Sequence, residues 1–224
     1  DIIWGSGGGG PLVVNDHTVI MRAIIDHPMQ VLRYLPDHYK TKNGPRPSGR
    51  EVLQAALQVN QIDNYTKARM RMVLDILPQI EERQAALPEA LKQSLDSLRQ
   101  QLNTKTVAEQ RRALRDEGVR SRHREHAGVA EGMEVAAQIL EDGEGSIYSP
   151  DHSFYKLLGE GQGLSRTARD PISDVGSWDT IGATAGGAAG AAIGGVGAGP
   201  GAIAGGVGGS IGAALAHVAI WLWD

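Results

Sequence analysis

Between residues 16 and 142 the apolar positions recur every three or four residues, the spacing that gathers them on one face of a helix. Val19, Ile20, Ala23 and Ile24 make the first such face, with Asp16 placed to cap it. Pro28 and Pro36 divide the next stretch into short turns, and KNGPRPSG at 42–49 reads as a loop. Ser48 and Glu51 then stand at capping-box spacing ahead of Val52, Leu53, Ala56 and Leu57. A longer helix from about Ile62 aligns Met70, Val73, Leu74 and Leu77, and Pro78 is expected to kink or end it. Pro88 suits a first helical turn before Leu91, Leu95, Leu98 and Leu102. Thr106 and Glu109 repeat the capping box, Gly118 is a plausible stop, and a last helix spans roughly 121–142, ending at Gly143. The predicted fold class is all-α: a helical domain of five or six helices followed by a Gly/Ala-rich helical hairpin.

The flanking segments follow other patterns. Residues 1–15 join a short apolar start to a Gly run, which reads as a flexible segment. Residues 143–180 are rich in Gly, Ser, Asp and Pro and read as a linker, because connectors this long are uncommon inside a compact domain. Residues 181–224 hold no Lys, Arg or Glu, and no Asp before Asp224, and fourteen of them are glycine. One glycine series falls at Gly182, Gly186, Gly190 and Gly194, and a second at Gly197, Gly201, Gly205 and Gly209. Spacing of four puts each series on one helix face, a smooth strip that lets another backbone come close.

GAGPG at 197–201 reads as a turn between two arms, residues 181–198 and 201–223. As helices they would be about 27 Å and about 34 Å long, against a hydrocarbon core of about 30 Å. Both arms are thus expected to span a bilayer. Trp178 precedes the first arm while Trp221 and Trp223 close the second, so a hairpin would bring three indoles to one membrane face. Each interior glycine costs a helix about 1 kcal/mol against alanine, so fourteen weigh heavily in water. In lipid the backbone must bond to itself, and helix is enforced. A tightly packed soluble hairpin buried under the helical domain, or a disordered tail, are the alternatives.

The segments GGAAGAAIGG (186–195) and GAIAGGVGGSIGAALA (201–216) carry a resemblance. In composition and spacing the tail resembles the glycine-zipper two-transmembrane domain of bacterial envelope proteins. It is also similar to the Gly/Ala-rich segment of pore-forming class II bacteriocins and of membrane-targeting effectors delivered by bacterial secretion systems. The resemblance covers about a fifth of the chain, and residues 1–180 carry none.

Composition narrows the chemistry. The net charge of −4 and a pI near 6 give no reason to expect nucleic acid as a partner. Without cysteine there is neither a disulfide framework nor a thiolate site. The chain opens on Asp1 rather than Met, so a processed or excised product is expected, and a missing leader says nothing about export. His123 and His126 flank Glu125, but H-R-E-H is not the H-E-x-x-H of a metalloprotease helix, and no third ligand is signalled. Arg111, Arg112, Arg115, Arg120, Arg122 and Arg124 are diluted by acids and read first as a solvated face, second as an attraction for anionic lipid. SGGGG at 6–10 lacks the Lys-Ser/Thr of a phosphate loop. His217 is the one ionisable residue inside the second arm, where such a group is costly, and is a candidate pH-sensitive position.

These readings converge on a membrane-inserting chain: a pore-forming antibacterial toxin or secreted effector, soluble before insertion and acting at the target-cell membrane. No catalytic residue, cofactor or metal is expected. The expected partners are the lipid bilayer, further copies packed through the glycine faces, and a chaperone, carrier or immunity protein. A structural subunit of an envelope assembly or virion is the alternative, as is a soluble helical protein with the hairpin buried.

Overall fold

The computed structural model describes residues 10–41, 44–121, 126–153, 156, 171–193 and 195–223, and its regular elements are all helices. In chain order they are α1 (Val14–Asp26), α2 (Pro28–Arg33), α3 (Gly49–Ala56), α4 (Asn64–Ala85), α5 (Glu89–Leu102), α6 (Val107–Arg115), α7 (Glu117–Ser121), α8 (Val129–Glu144), α9 (Pro171–Ala191) and α10 (Ala198–Trp223). A short 3₁₀ turn at Asp37–Tyr39 follows α2. The all-α expectation holds. Among the described residues, eight helices rather than five or six precede α9, because the Pro28 and Gly118 regions yield short helices of their own.

Local chemistry sets most of the ends. Ser48 Oγ accepts from the Glu51 N–H while the Glu51 carboxylate accepts from the Ser48 N–H at 3.0 Å, and Thr106 with Glu109 repeats the box at α6. Those bonds to Ser48 hold the Glu51 carboxyl below its ordinary range. Asp16 departs from expectation. It sits inside the first turn of α1, accepts from the Val13 N–H at 2.8 Å, and is fully buried against Arg69 of α4. Pro78 does not end α4, which runs on to Ala85 because Ile76, Leu77 and Ile80 around it are all buried in the core. Nor does α8 begin near Ser121; it starts at Val129, after Gly128 takes a left-handed φ of 80°.

The tail is where the expected boundaries move most. Its first helix starts at Pro171, ten residues inside the stretch read as a linker, and stops at Ala191. Between the two helices Gly195 and Gly197 take left-handed φ of 89° and 82°, and the GAGPG segment at 197–201, expected to form the turn, enters the second helix from Ala198 onward. One hydrophobic cluster runs from Leu12 to Ala219, so the tail and the preceding helices share a core instead of forming two units. The α9–α10 pair is central to it: α8, α4, α5 and α6 pack on α9, and α1, α2, α3, α4 and α8 pack on α10.

Candidate functional site

The α9–α10 pair is joined glycine to glycine. A Cβ built on Gly186 would lie 3.0 Å from Gly205 Cα, one on Gly190 would lie 2.9 Å from Gly201 Cα, and one on Gly201 would lie 2.8 Å from Gly190 Cα. Gly182 meets the backbone of Gly205 in the same way, and Gly190 meets Gly197. Numbers rise along one helix as they fall along the other, so the two run antiparallel with backbones closer than any side chain allows. Gly209 faces the Trp178 carbonyl, 2.7 Å from where its Cβ would be. Gly194 lies outside the described residues.

The strips expected to recruit further copies therefore face each other within one chain. Additional glycines, unremarked in the sequence, seat the pair in the bundle. A Cβ on Gly132 of α8 would lie 2.9 Å from Thr184 Cα, and one on Gly187 would lie 2.7 Å from Gly132 Cα. Gly49, at the start of α3, meets the backbone of Gly208. These partners sit outside the four-residue series, and only the fold brings them to the tail.

Length and charge separate the two arms. Among the described residues one helical stretch, Ala198–Ile220, is long and apolar enough to cross a membrane, and 72% of its apolar window is buried in the bundle. The first arm does not match it. Its charge-free part ends at Ala191, so residues 181–191 give about 16 Å of helix against a hydrocarbon core of about 30 Å. Extending it upstream brings in Asp174 and Asp179.

Those two aspartates organise the polar contacts of the pair. Asp179 is fully buried; its Oδ1 is 2.7 Å from His17 Nε2 of α1, and its Oδ2 accepts from the hydroxyl of Tyr148, just beyond α8. Burial, with the Asp179 carboxylate beside it, holds the Tyr148 phenol well above its ordinary range. His17 Nδ1 is buried without a partner. Protonated imidazole donates from both nitrogens, so this arrangement fits a neutral ring donating from Nε2. Nearer the chain end, half-buried His217 places Nε2 3.0 Å from Asp174 Oδ2, giving the singled-out histidine a partner on the other helix.

Trp178 lies inside α9, in its second turn rather than ahead of the first arm, and is half-buried. The guanidinium carbons of Arg46 and Arg99 lie 3.9 and 4.5 Å from its ring centroid, and Arg46 also donates to the Gly209 carbonyl. Burial brings the Arg46 guanidinium down to about 10, opposed by Asp174 and assisted by Arg99. The side chains of Trp221 and Trp223 lie outside the described residues, as do His123, Arg122 and Arg124. Arg111, Arg115 and Arg120 form ion pairs with Glu141, Glu144, Glu117 and Glu134, a lattice between α6–α7 and α8. That pairing favours the solvated-face reading of the basic run over a lipid-facing one.

Comparison with known proteins gives no match: no protein family, no curated protein and no solved structure is similar to the chain.

Proposed function

We propose that the chain is a membrane-active protein that carries its inserting element sheathed: α9 and α10 form the core of a helical bundle in water, and α10 leads the pair into a bilayer. One observation supports this above the rest. An exposed turn in a water-soluble bundle tolerates Lys and Glu freely. Here the water-exposed positions of the turn and α10 among the described residues are Ala191, Ala192, Gly195, Gly197 and Ile220, and no Asp, Glu, Lys or Arg occurs between Ile181 and Trp223. Freedom from charge on every face suits a helix that also meets lipid. The activity that follows is permeabilisation, as in a pore-forming antibacterial toxin or secreted effector. In that state the glycine strips are available to pack α9 on α10, or on another copy.

A second reading has its own support. The glycines of α8 and α3 that meet Gly187 and Gly208 complement the pair so closely that a permanent soluble core is a coherent alternative.

The chain has no cysteine, so Ala192→Cys creates a unique labelling site at the exposed turn. A polarity-sensitive dye there should shift to the blue, and resist aqueous quenchers, when the full chain meets dye-loaded vesicles that then leak. Ala192→Lys should leave the soluble fold unchanged, since the position already faces water, yet slow leakage by placing a charge on the leading turn. A label that stays fully quenchable, with no leakage at any lipid composition or pH, decides for the permanent core.

A further inference from the structure

Across the 53 residues from Pro171 to Trp223 the only ionisable side chains are Asp174, Asp179 and His217. Each of the three is held by a partner. Asp179 lies between His17 and Tyr148, and Asp174 faces His217 with Arg46 near. We propose that the Asp179–His17–Tyr148 cluster is an acid-released latch that keeps α9, and with it the α9–α10 pair, inside the bundle. This rests on the sheathed-element reading above and adds its trigger.

The charge accounting runs through named atoms. At neutral pH the Asp179 carboxylate accepts from two donors, His17 Nε2 and the Tyr148 hydroxyl. A proton arriving on Asp179 turns one acceptor oxygen into a donor that faces a donor. A proton arriving on His17 goes to Nδ1, which is buried and has no acceptor. Both events oppose the folded arrangement. The first also removes from α9 a charge that hydrocarbon would reject. Other charged groups nearby do not replace the lost bonds. Asp142 of α8 accepts from Thr18, the neighbour of His17, while Asp16 of α1 is engaged by Arg69 of α4.

The experiment separates the latch from the membrane. Hydrogen exchange of α9 and α10 is followed in the full chain against pH without lipid, and dye release from anionic and zwitterionic vesicles is followed in parallel. In solution, protection of both helices should fall as the pH drops from 7.5 towards 4.5. Asp179→Asn, which cannot carry the negative charge, should move the opening midpoint up by about one pH unit. Tyr148→Phe, which removes one donor from the carboxylate, should move it up by less and serves if the Asn variant does not fold. His17→Gln keeps a donor towards Asp179 but cannot become a buried cation, so it should move the midpoint down. Upward shifts in all three variants mean general destabilisation and overturn the latch, as does protection that ignores pH. Acid opening in solution with opposite shifts sustains the latch even if vesicles stay intact, the result that sinks the membrane reading alone. Leakage without any acid opening keeps the membrane reading and removes the latch.

Discussion

Gly201→Ala and Gly199→Ala add the same methyl to the first turns of α10, two residues apart, and should move stability in opposite directions. At Gly199 the nearest atom to the new Cβ is Glu131 Oε1 at 3.6 Å, an ordinary contact with the end of a flexible side chain. The substitution there should return only part of the about 1 kcal/mol of helix propensity, because the following Pro200 disfavours a Cβ on a helical residue before it. At Gly201 the new Cβ falls 2.5 Å from the Gly186 carbonyl oxygen and 2.8 Å from Gly190 Cα. Comfortable carbon contacts begin near 3.5 Å, so the two backbones must separate by about 1 Å. Neither obstacle is a side chain that can rotate away. Overpacking of this kind costs about 3 kcal/mol at the upper end of its usual range, leaving a net loss of about 2 kcal/mol after the propensity gain. The two variants should thus differ by about 2–3 kcal/mol, or roughly 4–12 °C in Tm for a chain of this length. Thermal and urea unfolding followed by circular dichroism reads this directly. Equal shifts of the two variants, or a more stable Gly201→Ala, would refute the close backbone contact of α9 with α10.

Three further outcomes follow. Arg69→Met leaves the buried Asp16 carboxylate without its ion pair and takes donors from the Gly10 and Pro11 carbonyls, so urea unfolding should show a loss of about 3–5 kcal/mol. Because the Tyr148 phenol is raised in the fold, its contribution is complete below the unfolded value near 10. Above that pH it is lost by about 1.4 kcal/mol per unit as the unfolded chain ionises first. Arg46 works with the opposite sign above about 10, so the test is the difference between the parent and Tyr148→Phe at matched pH, and the variant should lose stability less steeply with alkali. Ser48→Ala and Thr106→Ala each remove a cap and should cost about 1 kcal/mol in the same urea assay, with no effect on vesicle leakage.

What could be read in the sequence was whatever depends on neighbours along the chain. Both capping boxes and the Leu91–Leu102 face rest on spacing alone, and they appear where the spacing puts them. Pro78 does not end α4, because its local effect is outweighed by burial of Ile76, Leu77 and Ile80, a tertiary term. Asp174 and Asp179 were assigned to a linker for a similar reason. In a Gly/Ser/Asp-rich stretch an aspartate looks like turn chemistry, and its helical role depends on His17, 162 residues away. The glycines of α8 and α3 were equally hidden. Gly132 has no period of its own and gains meaning only against Thr184.

The kinds of contact that hold α9–α10 decide how the pair could leave. Between the two helices the contact is mostly backbone on backbone, through Gly182, Gly186, Gly190, Gly201 and Gly205. Such close packing does not depend on expelling water, so it persists in lipid. Much of the contact with the sheath is different in kind. Leu77 packs on Gly208, Ile139 on Gly206, and Ser210 bonds to Met21, with the His17 and Arg46 contacts at the two ends. Burying apolar side chains there is favourable only because water is the alternative, and at a bilayer that advantage lapses for α10. The glycine contacts with α8 and α3 are the exception, and they resist release. The pair should therefore move as a unit, its internal contact intact, once the polar contacts of α9 are undone. An interlocked pair of Leu-rich helices would have gained more from lipid, but it could not have kept the close backbone seam that, in the proposed function, would let the two helices insert as one body.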